Sequence, residues 1–535
     1  MGCRGGSSEL VTADRASALH GFAHRRRTVL RLWCGVVFLA LFPACSPPEQ
    51  VTSTVRNILT IGFPEGEIAS AETGLGQLIT GFTLEGLTQV NVDGRAVPRL
   101  AQSWKWENNG LTLRLTLRPD VKFHNGTALT ATVAAEALSA AIARPANRAL
   151  YPFLADIVGV RADSDVDLVL DLSERSAFLP EDLELPLGLG TPNVGTGPFR
   201  LTKRDADGVV LERFEDYYLG VPRIQQVVIR PFDTLRTAWS SLLRGDVDMV
   251  TDVPHDAVDF VQNGDIEVVS FTRRYQFMIA FNVRKPPLAS TSVRRALNTA
   301  IDRDRLIERV LQGAGEPATG PLWPRHWAYD ATVQPFAFDP QGSVDSLEAA
   351  GFRLPSVTNT SSLPPARLRF SCLLPADFSL LEGIGLEVQK QLYDVGVDMQ
   401  FEVVPIQEYD SRIREGRFDA VLIDLISGPT FGRPFIFWRS AAHFQGLNVF
   451  GYENAETEKL FQALRASTNE ATVRSATYRL QRAMTMDPPA LFLVWNERAR
   501  AVSRRFRIVE EAGRDPLHTI WQWTENPDRR PVSTQ

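Results

Sequence analysis

From residue 368 to residue 423 the chain alternates apolar runs with helical stretches, and no other feature narrows the fold as far. Leu368-Arg369-Phe370-Ser371-Cys372-Leu373 reads as a strand, and residues 381–393 read as a helix. Val397-Asp398-Met399-Gln400-Phe401-Glu402-Val403 alternates as a second strand, and Gly416-Arg417-Phe418-Asp419 leads into a third, Ala420-Val421-Leu422-Ile423. Strands separated by helices of this length lie side by side with the helices on the sheet faces, so a mainly parallel α/β sheet is expected. The same grammar opens the chain. Ile58-Leu59-Thr60-Ile61-Gly62 reads as a buried strand that turns at Pro64-Glu65-Gly66. Thr112-Leu113-Arg114-Leu115-Thr116-Leu117 alternates as a half-buried strand should, and the alanine-rich residues 131–143 read as a helix. With 535 residues, 44% of them hydrophobic, the chain can fill a large core and two to four domains.

The first 56 residues follow another logic. Arg25-Arg26-Arg27 is a basic cluster, and residues 32–44 form an apolar run of 13 residues, too short for a comfortable membrane span. Phe42-Pro43-Ala44-Cys45 ends it and resembles a bacterial lipobox, with Phe42 and Pro43 departing from the usual pattern. The expectation is a signal peptide over 1–44, lipid on Cys45, and a tether over 45–56. Arg26-Arg27 also resembles a twin-arginine export signal, although a plain basic segment is the favoured reading. Loss of residues 1–44 removes six arginines and two acids, taking the formal charge from −6 to −10. That acidic balance argues against nucleic acid as a partner. Cys3 and Cys34 leave with the signal, so a lipidated Cys45 leaves Cys372 without a disulfide partner.

Glycine and helix stripes punctuate the middle of the chain. Trp239, Leu242 and Leu243 share a helical face that Gly245 closes, and Asp246 and Asp248 read as the solvated side of the next strand rather than as metal ligands. Val293, Leu297, Ala300 and Ile301 form another stripe, with Asp302 placed to cap a second helix that ends before Gly313. Gly195-Thr196-Gly197 reads as a sharp turn into a strand at Phe199, because glycines permit a tight backbone path.

The chain carries no Gly-x-Ser-x-Gly elbow, no His-Glu-x-x-His, no phosphate loop and no Cys-x-x-Cys pair, so no enzyme class is indicated. After the signal the histidines are His124, His255, His326, His443 and His518, each isolated in sequence. No cofactor and no metal site is expected from that spacing, although distant histidines can converge and nickel stays open. His124 reads as structural.

Several short motifs fall in a telling order. They are Glu85-Gly86-Leu87-Thr88, Pro98-Arg99-Leu100-Ala101-Gln102-Ser103-Trp104, Leu117-Arg118-Pro119-Asp120-Val121-Lys122-Phe123-His124-Asn125-Gly126, Gly195-Thr196-Gly197-Pro198-Phe199, Tyr217-Tyr218-Leu219-Gly220-Val221-Pro222, Phe281-Asn282-Val283 and Gly320-Pro321-Leu322-Trp323-Pro324. From Ile58 to about Trp523 the chain resembles the bacterial extracellular solute-binding proteins of family 5, the peptide- and nickel-type receptors of ABC importers. The resemblance implies an α/β, bilobed periplasmic-binding-protein fold of class II, the large three-domain type, with a hinge between lobes. It implies lobe I over 57–88, 197–283 and 497–525, an insertion over 89–196, lobe II over 284–496, and a tail over 526–535.

It also implies capture of a small solute, a peptide first, for delivery to an ABC permease in the inner membrane. The protein would be a periplasmic or cell-envelope monomer, lipid-anchored through Cys45. A non-peptide solute (an oligosaccharide, an opine or a metal chelate) is the alternative, and a non-transport lipoprotein acting as sensor or chaperone is the rival of another class. Peptide-binding members carry Trp and an Asp-Pro pair in a segment that corresponds here to Val421-Leu422-Ile423-Asp424-Leu425-Ile426-Ser427-Gly428-Pro429-Thr430, where both are missing. The candidate ligand contacts are Tyr275, Gln276 and Phe277 before one crossing strand, Trp323 and Asp424 in lobe II, and Trp495 and Asn496 on the return crossing. Aromatic walls and amides that both donate and accept suit such a cleft. Arg273 and Arg274 could meet a carboxylate, but a solvated surface pair is the favoured reading.

Overall fold

Two trios of parallel strands, far apart in sequence, are joined into one sheet by two long strands that run between them. The structure is a computed structural model that describes residues 57–65, 71–190, 194–253, 264–355, 365–376, 378–440 and 447–529. Cys45, the signal, the tether, His255 and His443 lie outside the described residues. Ile58–Pro64 is flanked in parallel by Gln226–Phe232 and Met249–Val253. Leu368–Pro375 is flanked in parallel by Val397–Val404 and Ala420–Ile426. Between the trios, Ile266–Phe281 and Ala490–Ser503 pair antiparallel over most of their length, from Ile266 opposite Ser503 to Ala280 opposite Ala490. Among the described residues the sheet has 11 strands, ten along one path that ends in Gly208–Arg213 and Phe199–Asp205, with Gly315–Pro317 off the path beside Ala490–Ser503.

The expectation of a mainly parallel sheet is corrected accordingly. The strand–helix rhythm rules within each trio, but the strands that join the trios are antiparallel.

Local chemistry accounts for the elements. The helix Ala131–Ile142 begins where the Thr130 hydroxyl accepts from the Val133 N–H. The helix Arg303–Val310 begins where the Asp302 carboxylate accepts from the Arg305 N–H. The helix Leu235–Arg244 ends at Gly245, whose φ of 77° is the left-handed conformation glycine adopts freely. Its buried stripe is Leu235, Ala238 and Leu242, whereas Leu243 is 58% exposed, so the expected stripe is rotated toward the start of the helix. Asp248 is likewise not on a solvated face. It is buried, accepts from the Thr60 N–H at 2.8 Å and pairs with Arg505 at 2.9 Å.

Two cores lie on opposite faces of the sheet where the long strands meet Ala420–Ile426, and two others pack around the trio of Ile58–Pro64. On one face Phe277, Ile279, Leu422 and Leu491 pack under the helices Thr291–Thr299, Arg303–Val310 and Ser379–Asp394. On the other face Met278, Ala280, Val421, Phe492 and Trp495 share a core with Trp323, Phe431 and Trp438. That core continues into the antiparallel sheet of Ala101–Glu107, Thr112–Leu117, Asp167–Leu172 and Ile157–Ala162. Cys372 is buried and unpaired.

The sequence motifs meet at one buried ion pair. Arg99 donates from Nε to Glu85 at 2.7 Å, and Tyr217, Tyr218 and Thr196 donate hydroxyl protons to the same carboxylate at 3.0, 3.3 and 2.8 Å. The glycines around it are required by close approach. A Cβ on Gly195 would stand 2.2 Å from the Thr83 carbonyl oxygen, and one on Gly86 would stand 2.6 Å from the Glu184 backbone. His124 completes the knot, its Nε2 lying 2.9 Å from the Gly197 carbonyl oxygen and its Nδ1 3.4 Å from the Gly195 nitrogen. These motifs build the scaffold.

Candidate functional site

The two long strands lose their regular register near their middle. Thr272 opposes Glu497 and Gln276 opposes Trp495, so the strand Ile266–Phe281 holds extra residues at Arg273–Tyr275. A bulge of this kind bends and twists a strand and re-aims its side chains. From Tyr275 onward the same strand also pairs with Ala420–Ile426. Tyr275, Gln276 and Phe277 were expected just before the crossing strand, and they lie within it, where the pairing changes partner.

Around this point the structure gathers Gln276, Trp323 and Trp495. Trp495 is opposite Gln276 across the ladder, and the Trp323 and Trp495 rings meet edge-on with centroids 5.1 Å apart. Both rings are buried in the core, Trp323 4% and Trp495 1% exposed, so the pair is packed edge to face and fixed in place. Gln276 is wholly buried and donates from Nε2 to the Gly320 carbonyl at 2.8 Å, while its Oε1 takes no hydrogen bond among the described residues. Asn496, 2% exposed and next along from Trp495, keeps an Nδ2 without an acceptor among the described residues. Buried amides usually find partners on both sides, so these two atoms have room for a further partner such as water or a solute.

Phe277 and Asp424 go elsewhere. They oppose each other across the ladder and share the other sheet face, where Phe277 is packed in the core under the helices. Side chains alternate along a strand, so the residue after Gln276 points away from the Trp323–Trp495 pair. Phe277 is a core residue, and Asp424 is one strand position from a place on the aromatic face.

A hairpin closes over this face. Its strands are Thr88–Val90 and Ala96–Pro98, and its tip docks on residues 323–327. The Trp323 Nε1–H donates to the Val92 carbonyl at 2.9 Å, and the Trp327 N–H donates to the Asp93 carbonyl at 2.9 Å. The Arg95 guanidinium lies 4.5 Å from the centre of the Trp327 ring and pairs with Glu470 at 3.2 Å. Gly94, with φ of 83°, fits where a Cβ would be 2.4 Å from His326 and 2.5 Å from the Pro429 oxygen. His326 is buried with its ring edge-on to Phe431, centroids 4.5 Å apart, and burial holds it down to a pKa of about 3, against the pull of Asp93.

Residues 95–442 match the model for bacterial extracellular solute-binding proteins, family 5 Middle. The chain belongs to that family. This family 5 protein is 22% identical over 543 residues to the oligopeptide-binding protein AppA of Bacillus subtilis, covering 93% of this chain and 99% of the relative. It is 26% identical over 423 residues to the nickel-binding periplasmic protein of Escherichia coli, covering 74% of this chain and 80% of the relative. Among solved structures it is similar to the binding protein AgaA in complex with agropinic acid, from A. tumefaciens R10, with a TM-score of 0.72, 19% identity and coverage of 88% and 99%. Members of the family are extracellular solute-binding proteins.

Two features of this family 5 protein were not found from its sequence. Residues 88–98 carry no composition that marks a clamp, because their partners Trp323, Trp327 and Pro429 are more than 200 residues away. Arg433, beside the segment lacking the Asp-Pro pair, is a half-buried cation whose surroundings only the fold assembles. No helix among the described residues is long and apolar enough to cross a membrane. No group of three or more His, Cys, Asp or Glu among them is arranged to hold a metal ion.

Proposed function

We propose that the protein is the solute-capturing component of an ABC importer, with a peptide as its cargo. Residues 57–88, 197–283 and 497–525 form one lobe, 89–196 its insertion and 284–496 the other. The observation that carries this is the pair of long antiparallel strands linking two parallel trios, with Gln276, Trp323 and Trp495 gathered where their register breaks. Two rigid bodies joined by two strands can swing about the irregular point, and a solute that touches both shifts the population to the closed form. The Gly94 hairpin tip seated on residues 323–327 is the contact that closure makes. A permease then distinguishes closed from open.

Peptide is placed first because AppA binds oligopeptides by name and matches this chain over nearly its whole length. Tyr275, Gln276, Trp323, Trp495 and Asn496 are the proposed ligand contacts. The protein binds and releases its cargo unchanged. Lipid on Cys45 holds it to the membrane as a monomer, with residues 45–56 as the tether.

Native mass spectrometry of the purified full-length protein, before and after mild denaturation, tests the cargo. A released mass matching a short peptide is the expected result. A released non-peptide mass overturns the peptide assignment and keeps the capture function. Conversion of a bound peptide into fragments overturns the assignment as a binding protein.

A further inference from the structure

Arg433 opens the short helix Gly432–Trp438 at the end of the loop that carries Gly428 and Pro429. The loop begins against the aromatic pair: a Cβ on Gly428 would stand 2.4 Å from the Trp323 ring. The guanidinium lies 5.8 Å from the centre of the Tyr151 ring. Among the described residues it has no hydrogen-bond acceptor and no carboxylate within ion-pair distance. The acids near it are committed to backbone. Asp182 accepts from the Phe153 N–H at 2.7 Å, Glu181 from the Phe431 N–H at 3.3 Å, and Glu184 from the Val90 N–H at 3.2 Å. Burial pushes Glu181 and Asp182 well above the usual carboxylate range, which weakens the compensation they offer a cation. Burial also lowers Arg433, despite Tyr151, Asp182 and Glu184 around it.

Arg433 is half-buried, and a cation partly drawn out of water with no acceptor of its own gains when an anion meets it. The planar guanidinium fork matches a carboxylate through two parallel hydrogen bonds, better than any ammonium does.

We propose that Arg433 anchors a carboxylate of the captured solute, so that the cargo is anionic and a peptide is held there by its C-terminus. This rests on the chain being a solute-capturing protein. Charge is thereby opposite to what an acid at this end of the cleft would select, and free amino groups are not recognised here.

Isothermal titration of the full-length protein with short alanine peptides, against the same peptides as C-terminal amides, tests the anchor. Succinate against succinamide, and maltotriose as a neutral probe, complete the panel. The free acids are expected to bind at least about tenfold tighter than the amides, the scale of one charge-assisted hydrogen bond. R433M is expected to erase that preference and R433K to keep part of it. Equal binding of acid and amide by the unaltered protein overturns the anchor, as does an undiminished preference in R433M. Succinate binding that depends on Arg433, without peptide binding, upholds the anchor and replaces the peptide with a smaller carboxylate. Binding of maltotriose alone overturns both anchor and peptide. If no probe binds, the thermal midpoint of probe-free R433M decides. An unchanged or raised midpoint fits a cation reserved for a solute, whereas a fall of more than about 2 °C makes it part of the scaffold and overturns the anchor. That last result leaves the capture function standing.

Discussion

Arg99 and Arg433 are both withdrawn from water, and burial works against the charge of each, yet their surroundings differ completely. At Arg99, Glu85 stands 2.6 Å from Nη2, Tyr217 accepts from the same nitrogen at 2.8 Å, and the guanidinium is held above its ordinary value. At Arg433 the nearby acids serve backbone N–H groups and the cation falls below its ordinary value. A buried charge with every partner in place fixes one arrangement of the chain. A half-buried charge with no acceptor among the described residues is tolerated where water or a solute completes it. The first region is scaffold, and the second is the region expected to meet the solute.

The largest effect should come from breaking the satisfied side of that comparison. Glu85→Ala leaves Arg99 buried beside Tyr217 with no counter-charge and should cost about 3–5 kcal/mol of stability in urea unfolding. Solute affinity of the folded fraction should not change. A loss below about 1 kcal/mol would mean that solvent reaches Arg99, and the contrast with Arg433 would collapse.

The clamp over the aromatic pair gives a pH test. His326 faces Asp93, Arg95 and Arg474 and is held near a pKa of about 3, whereas an unfolded histidine titrates near its ordinary value of about 6.5. Between those values the unfolded chain binds a proton that the fold refuses. Stability therefore rises with pH across that window and is lost as acid is added, by up to about 1.4 kcal/mol per pH unit. Urea midpoints at several acidic pH values should show a shallower slope for His326→Asn than for the unaltered protein. Identical slopes would remove His326 from the acid response.

A smaller effect is expected at the hairpin tip. Gly94→Val adds a side chain at positive φ where a Cβ already meets His326 and Pro429, and the tip should fail to seat. The cost should be about 1–3 kcal/mol in thermal unfolding, with weaker solute binding in titration. Weakened stability with unchanged affinity would separate the clamp from closure. The smallest effect belongs to Asp424, on the sheet face away from Trp323 and Trp495. Asp424→Asn should change binding by no more than about 0.5 kcal/mol, as substitutions away from a site do. A larger loss would bring Asp424 back among the ligand contacts.

Much of this fold is legible along the chain. The strands Ile58–Pro64, Thr112–Leu117 and Leu368–Pro375 and the helix Ser379–Asp394 follow from apolar period alone. The candidate site is legible only in part. Gln276, Trp323 and Trp495 can be picked out as polar and aromatic residues near the crossing strands, and they do come together. Phe277 cannot be separated from Gln276 without knowing which face each takes, because a single step along a strand reverses the side chain. Asp248 reads as solvated because acids usually are, and its partner Arg505 is 257 residues away.

By itself the sequence determined what depends on near neighbours. Thr130 and Asp302 cap helices, Gly245 ends one, and alternation marks each strand, because these rest on bonds within a few residues. Only the tertiary structure decided what depends on convergence. It brought Glu85, Arg99, Thr196 and Tyr217 to one ion pair, turned the central strands antiparallel, and left Arg433 with no carboxylate at ion-pair distance among the described residues. Whether a charge is satisfied is a property of the space around it, and that space is filled by residues hundreds of positions apart.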